Sequence, residues 1–474
     1  MHVYCIRHFS VLRYTLDMNT KSNSQAFLTE SHQPTPVIEQ ADIVVCGGGP
    51  AGVAAALGAA RMQKQLGQTP SVRLLELHGQ LGGVWTTGLL SWIIDAGNKN
   101  GVMAELLQKL KDKREELGEA SPVKTGCPYD VEQMKLLLEQ LCVDAGVKVL
   151  LHTRVVAAHV DSNKQLTHVI TENKSGRQAI KAQVFIDCTG DGDLAAVAGC
   201  TCAYGRPDPD DPNQIQAQPF SMLCLLTGMD RDKTKPFHER DGVAWSVPKE
   251  NLRNAMLAGG ADPSYGKPTL FEIYPDLFTM MANHEYGFDG LNAQDISDAT
   301  IQSRKEVHHM VEALKKQGGC WANIRIVATA SQIGIRESRR PKGLYTLTVD
   351  DLVAGQCFDD AVCKCTFGID VHATKKTNAG GGIEDKPVGR TQPYDIPYRA
   401  LVSAEIGGLM FAGRCISGDF FAHSSYRVTG NSVALGEGAG AAAAVAVKKQ
   451  LPICEIDYGQ QVRGELEKLW ASNA

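Results

Sequence analysis

No apolar run in this 474-residue chain is long enough to cross a bilayer. The stretch richest in alanine and glycine, 433 to 447, is short and interrupted by Glu437. Neither sign of charge dominates. A formal net charge of −5 offers no general attraction to nucleic acid or to an anionic membrane, so neither is expected as a partner. Fourteen cysteines are present, yet no C-x-x-C pair occurs; the closest spacings are Cys200 with Cys202 and Cys363 with Cys365. An internal iron–sulfur cluster of the ferredoxin type needs tighter thiolate clustering, and scattered buried thiols are the simpler reading. No metal site is expected: the adjacent His308 and His309 lie on a helix pattern and point in two directions. No secretory signal is evident, which suggests a reduced, cytoplasmic protein.

What is present is length, glycine and apolar periodicity. The chain is too long for one ordinary core, and its 43% hydrophobic content is globular. Residues 1–40 lack a continuous apolar core and carry no acid before Asp17, and are expected to be a disordered tail, with Met18 as an alternative start. Forty-seven glycines, many in clusters, suggest tight turns or ligand-cradling loops.

The first cluster is "ADIVVCGGGPAGVAAALGAARMQ". Ile43 to Cys46 reads as a buried parallel strand that runs into Gly47, Gly49 and Gly52, a G-x-G-x-x-G turn opening an alanine-rich helix. Such a turn lets backbone approach a pyrophosphate, which then sits on the helix N-terminus. A second strand, Val72 to Leu75, ends in Glu76, placed to accept ribose hydroxyls. Glu76 lies 24 positions beyond Gly52, somewhat more than usual, and the surplus fits an extended helix and loop. An acid here favours an unphosphorylated ribose, as in FAD or NAD. A further glycine pair, Gly82 and Gly83, follows in "GQLGGVWTTGLL" and makes sense for a cofactor that extends past its pyrophosphate.

Downstream, "VKVLLHTRVVAAHVDSNKQLTHVITENKSGRQAIKAQVFIDCTGDGD" reads as short strands separated by turns, closing on a strand from Val184 to Ile186. With this segment the chain resembles the FAD-dependent oxidoreductases of glutathione-reductase-like, two-dinucleotide-binding fold. More narrowly, it resembles the family whose relatives include the flavin subunit of heterodisulfide reductase. The marks are "VVCGGGPAGVAAA", "LGGVWTTGL", "VFIDCTGDGDLAAVAG", "GIRESRRPKGLYTLT" and "IPYRALV" followed by "LMFAGRCIS". The resemblance implies an α/β fold. Its Rossmann-like FAD domain has a parallel sheet and β-meander (41–200 and 395–474), interrupted by a mixed α+β substrate domain (201–394).

It further implies that Gly47, Gly49, Gly52 and Glu76 hold the ADP half of FAD. Gly82 and Gly83 would lie along the pyrophosphate and ribityl chain, and Val155 would bond the adenine through its backbone. Thr189 and Gly190 match the family turn, with Cys188 where alanine is common. A second dinucleotide motif for a separate nicotinamide domain is absent, so the flavin would be reduced by substrate, free nicotinamide or a redox partner protein.

In the middle segment, "QPFSMLCLLTGMD" is a strand candidate. "AQDISDATIQSRKEVHHMVEALKKQGG" is a helix candidate, with Ile301, Val307, Met310, Val311 and Leu314 on its apolar face. In "SQIGIRESRRPKGLYTLTVDDL", a strand is expected over Leu344 to Thr348 and Arg340 reads as a solvated turn residue. Arg336 and Arg339 are candidates to hold a substrate carboxylate or an anionic reduced flavin. Near the C-terminus a strand ending at Gly413 is followed by "AHSSYRVTGNSVALGEGAGAAAA". There His423 is the general acid/base candidate, beside Arg427. The helix beginning near Asn431, with Ser432, would face the flavin with its N–H groups. The function expected is hydride transfer between a small organic substrate and flavin. The alternatives are an electron-relay flavoprotein subunit of a larger redox complex and a flavin-free nicotinamide dehydrogenase.

Overall fold

Ile43–Cys46, four wholly buried residues, form the centre of a five-stranded, all-parallel sheet. A computed structural model describes residues 34–116, 127–208, 211–212, 214–239, 242–375 and 389–473. The strands run in the order Leu409–Phe411, Val184–Asp187, Ile43–Cys46, Val72–Leu75 and Lys148–Leu150. Burial on both faces explains why these strands read as continuous apolar runs without alternation. The helix Pro50–Gln65 links the two central strands. Val131–Ala145 leads into the edge strand, started by Asp130, whose carboxylate accepts from Glu132 N at 2.7 Å.

Three antiparallel strands, Arg154–Val160, Leu166–Asn173 and Gly176–Lys181, form the meander. A fourth, Val37–Gln40, adds in parallel to Gly176–Lys181 and corrects the expectation of a disordered tail over its last residues. It was invisible as a strand because Val37 and Ile38 are exposed. Main-chain pairing holds it, with an ion pair of Glu39 to Arg73 at 2.5 Å. The earlier tail, through residue 33, lies outside the described residues.

The segment after the meander builds its own antiparallel sheet, in the order Thr269–Tyr274, Leu277–Met281, Leu223–Thr227 and Arg325–Thr329. The helices Ser246–Ala258 and Ala293–Lys316 complete it, around a separate core of Met222, Leu226, Phe278, Val307, Met310 and Leu314. Ile301 departs from the expected apolar face and is 66% exposed. Leu344 to Thr348 is not a strand. Only the isolated bridge Leu347 to Gly418 falls within it, because Thr348 turns the chain as the capping-box residue of the helix Val349–Ala354.

The glycine- and alanine-rich helix runs over Thr429–Lys449, starting two residues earlier than expected, and lies buried against Pro50–Gln65. A β-carbon at Gly436 would sit 2.1 Å from the Ala51 carbonyl oxygen, and one at Gly440 would sit 2.0 Å from that of Ala55. From the other side, a β-carbon at Gly58 would come 2.4 Å from the Glu437 carbonyl oxygen. The two backbones therefore touch, which only glycine permits. Each helical glycine costs up to about 1 kcal/mol against alanine, and the close seam offsets it. No helix among the described residues is long and apolar enough to cross a membrane.

Candidate active site

At the first turn Gly47 has φ +98°, and a β-carbon there would meet the Cys188 carbonyl oxygen at 2.4 Å. Gly52 packs against the same turn, its β-carbon position only 1.7 Å from the Gly47 oxygen. Gly49 differs, since a β-carbon there would find only Gly83 Cα, at 4.0 Å. One face of the turn is thus open beside the uncapped N-terminus of Pro50–Gln65, as a phosphate cradle requires. Glu76 is buried at the strand end, where its carboxylate accepts from Gly48 N at 2.6 Å and His78 N at 2.7 Å. Each oxygen retains lone-pair capacity for a ribose hydroxyl. Gly82 N donates to Gly48 O at 2.8 Å, drawing Gly83 (φ +50°) over Gly49.

Across the sheet, Asp187 organises the next turn. Its carboxylate accepts from Thr189 N and Oγ1, at 3.0 and 2.7 Å, and from Ala195 N at 2.8 Å. Burial raises its pKa to about 6. Thr189 therefore spends its hydroxyl proton inside the turn. Gly190 gives way to Arg414, which ion-pairs Asp191 at 2.6 Å. Gly413 lies where a β-carbon would be 2.8 Å from Ala51 Cβ and 3.8 Å from Ser432, so the two helix starts and this turn converge. Asn431 donates to Cys365 Sγ at 3.0 Å, while its buried Oδ1 and the Thr429 hydroxyl have no partner. Ser432 gives both its hydroxyl and its main-chain N–H to Val428 O, at 3.2 and 3.1 Å, so both donors are spent inside the helix start. Val155 lies on the outer strand of the meander. The open face at Gly49, the ribose-ready Glu76 and the orphaned polar atoms of Asn431 and Thr429 fit an extended dinucleotide.

Elsewhere the structure brings Arg336 and Arg427 together, with Asp370 against Arg427. Arg336 donates to Pro219 O and Ser221 Oγ at 2.7 and 2.8 Å. Arg427 donates to Arg336 O, Asp370 O and Gln218 Oε1, and its guanidinium is 3.9 Å from the Asp370 carboxylate. Burial lowers the Arg427 pKa to about 10, with the Arg336 charge adding to it against the pull of Asp370. Both arginines are only partly exposed, the Arg427 side chain to 10%.

Arg339 stands apart, donating to Asp191 O at 3.2 Å and pairing with Asp193 at 2.9 Å. His423 also stands apart. It is wholly inaccessible on the short helix Phe420–Tyr426, edge-on to Tyr426, with neither ring nitrogen in a well-formed hydrogen bond. Burial and the charges of Arg340, Arg427 and Arg414 hold it neutral, well below its ordinary pKa, although the Arg414 backbone pulls the other way. Asp419 caps that helix, accepting from Ala422 N at 2.7 Å. Arg340 is buried, contrary to its reading as a solvated turn residue. It donates to Gly418 O and Gly205 O and pairs with the buried Glu337, which accepts from Gln218 N at 3.2 Å. Trp85 is core, edge-on to Tyr129. Burial raises the thiols of Cys363 and Cys365, the latter to about 11, so neither is a ready nucleophile.

Sequence reasoning passed over the residues that complete the arginine cluster: Gln218, His284, Asp370 and His372. His372 Nε2 lies 3.2 Å from Asp370 Oδ2, and His284 Nδ1 lies 3.1 Å from the Tyr286 hydroxyl. The two rings are 4.9 Å apart at 76°. Burial, Arg336 and Arg427 lower the pKa of both, that of His372 to about 4 with Asp370 opposing. Burial pushes Asp370 up, but His372 and the two guanidiniums outweigh it and hold the carboxyl well below the usual range. The only signals in the chain were single histidines in "NHEYG" and "DVHA", which have no motif spacing.

A glycine turn between a buried strand and a helix, an acid ending the second strand, and a parallel sheet with an added meander define a dinucleotide-binding α/β protein. A family model described as FAD dependent oxidoreductase matches residues 42–466, and the chain belongs to that family. Its cofactor is FAD. No curated protein sequence matches it. Among solved structures it is similar to p-nitrophenol 4-monooxygenase PnpA from Pseudomonas putida DLL-E4, at 12% identity and TM-score 0.47, covering 92% of this chain and 89% of that one. It is also similar to a geranylgeranyl bacteriochlorophyll reductase-like protein from Thermoplasma acidophilum, at 12% identity and TM-score 0.44, covering 92% and 84%.

Proposed function

We propose that this oxidoreductase is a dehydrogenase-type enzyme, moving hydride between a small organic substrate and FAD. The observation that carries the reading is that two guanidiniums meet beside one carboxylate: Arg427 donates to Arg336 O at 3.3 Å and lies 3.9 Å from the Asp370 carboxylate. Arg427 lies two residues before the Gly/Ala helix, whose first turn holds the orphaned polar atoms of Thr429 and Asn431. Gly47, Gly49, Gly52 and Glu76 would hold the ADP half, Gly82, Gly83, Val155, Thr189, Gly190 and Gly413 would shape the rest of the cradle, and Asn431 and Ser432 would meet the flavin end. Two-electron acceptance is the chemistry FAD supplies there. The protein's own part is to bind and orient an anionic substrate, exclude water and take up a proton. The buried thiols accord with a reduced, cytoplasmic setting.

Anaerobic mixing of the purified holoprotein with a panel of small organic acids and alcohols tests this reading. Bleaching of the visible flavin bands by a panel member is expected. A flavin that bleaches only with a protein electron donor would replace this reading with the electron-relay one. Glu76→Ala should lower flavin content at least several-fold; full retention would remove Glu76 from the ribose site.

A further inference from the structure

We propose that Gln218, Arg336 and Arg427, together with His284 and His372, form a binding site for a small 2-hydroxy carboxylate. The inference deepens the hydride-transfer reading of the same site and rests on it for calling the ligand a substrate. Hydrogen-bond geometry assigns a state to each group. With the Tyr286 hydroxyl proton assigned to Ser264 O, 3.1 Å away, its oxygen accepts from His284 Nδ1–H. The neutral His284 ring then presents Nε2 as a bare acceptor, and that atom has no partner. Asp370 can only accept, so His372 carries its proton on Nε2, and its Nδ1 is likewise a bare, unpartnered acceptor. Gln218 Oε1 accepts from His372 N and Arg427 Nη2, both at 3.1 Å, which fixes the amide and leaves Nε2 a donor without a partner.

All three side chains are more than nine-tenths buried: Gln218 is 1% exposed, His284 1% and His372 6%. Unpaired buried polar atoms are costly and uncommon, and three in one cluster with two guanidiniums call for a ligand. The guanidiniums and the Gln218 amide offer donors to a carboxylate, bidentate at arginine. The histidine lone pairs offer acceptors to a hydroxyl. Lowered basicity keeps both rings neutral, so the acceptors persist at neutral pH. A plain carboxylate would satisfy the donors alone, and a plain alcohol the acceptors alone.

The test titrates the flavin-loaded protein with matched pairs of C3 to C5 acids, lactate against propionate and malate against succinate, by calorimetry and by the flavin difference spectrum. At least one hydroxy acid should bind about tenfold tighter than its deoxy partner. The double variant His284→Phe with His372→Phe removes both free lone pairs and introduces no acceptor. It should erase that ratio, read within the variant itself between each hydroxy acid and its deoxy partner, with flavin still bound. In wild-type protein labelled with nitrogen-15 histidine, two unprotonated ring nitrogens should shift when the hydroxy acid binds, and this readout stands if the variant does not fold. Absence of binding across the panel, or equal affinity within every pair, overturns the inference. Tight binding with the hydroxyl preference but no anaerobic bleaching leaves the binding site standing and removes the hydride-transfer reading.

Discussion

The glycine-rich nucleotide region and the arginine-centred polar cluster solve opposite problems. Around the first turn and the Gly/Ala helix, function needs side chains out of the way, and Gly58, Gly436 and Gly440 let two helices touch backbone to backbone. Around Arg336, Asp370 and Arg427, many polar groups share one largely buried volume, supported by Gln218 and the Glu337–Arg340 pair. The first region tolerates almost no added atom. The second tolerates almost no lost partner.

The sharpest way to break the first region is Gly440→Val. Its β-carbon falls 2.0 Å from the Ala55 carbonyl oxygen, which is backbone and cannot swing away. Loss of about 3 kcal/mol or more is expected, with flavin loss, in thermal denaturation of the holoprotein. A variant that melts normally would mean the seam is loose. For the second region, Arg340→Ala leaves Glu337 buried with an uncompensated charge and frees two carbonyls, those of Gly418 and Gly205. A cost of about 3 kcal/mol is expected by denaturant titration. A much smaller effect would show that Gln218 needs no such support.

Glu437 combines both regions' physics on the seam itself. Its carboxylate accepts from Val102 N at 3.1 Å and Trp470 Nε1 at 2.9 Å, yet burial raises its pKa to about 7. Between its ordinary value near 4.5 and about 7, the folded protein holds a proton that the unfolded chain has released. Stability should therefore fall as pH rises through that window. Glu437→Gln should flatten the dependence, and an unchanged slope in pH-dependent melting would assign it to other groups. The smallest effect belongs to Arg339→Ala, which removes an ion pair to a half-exposed Asp193. The change should stay below about 1 kcal/mol and leave substrate affinity untouched. A large loss of affinity would return Arg339 to the site.

Legibility followed the same division. The strand Ile43–Cys46, the glycine turn, Glu76 and the returning strand before Gly413 were readable because each is a local pattern with one physical meaning. Arg336 and Arg427 were readable as charges beside apolar segments, but Arg339 and Arg340 looked the same. Only burial separates Arg340, enclosed by carbonyls, from Arg339 at the rim. His423 carried the most suggestive local context and lies sealed in protein. His284 and His372 carried almost none, yet they pack ring to ring, and His372 meets the Asp370 and Gln218 that Arg427 also engages.

By itself the sequence determined the family's cofactor fold, because a turn that must approach phosphate and helices that must touch can be written only with glycine at set spacings. Tertiary structure alone decided which polar residues meet. Positions 218, 284, 336, 370, 372 and 427 come from distant segments with no shared period. Burial then sets their protonation and their unmet hydrogen bonds, and burial is a property of the packed whole.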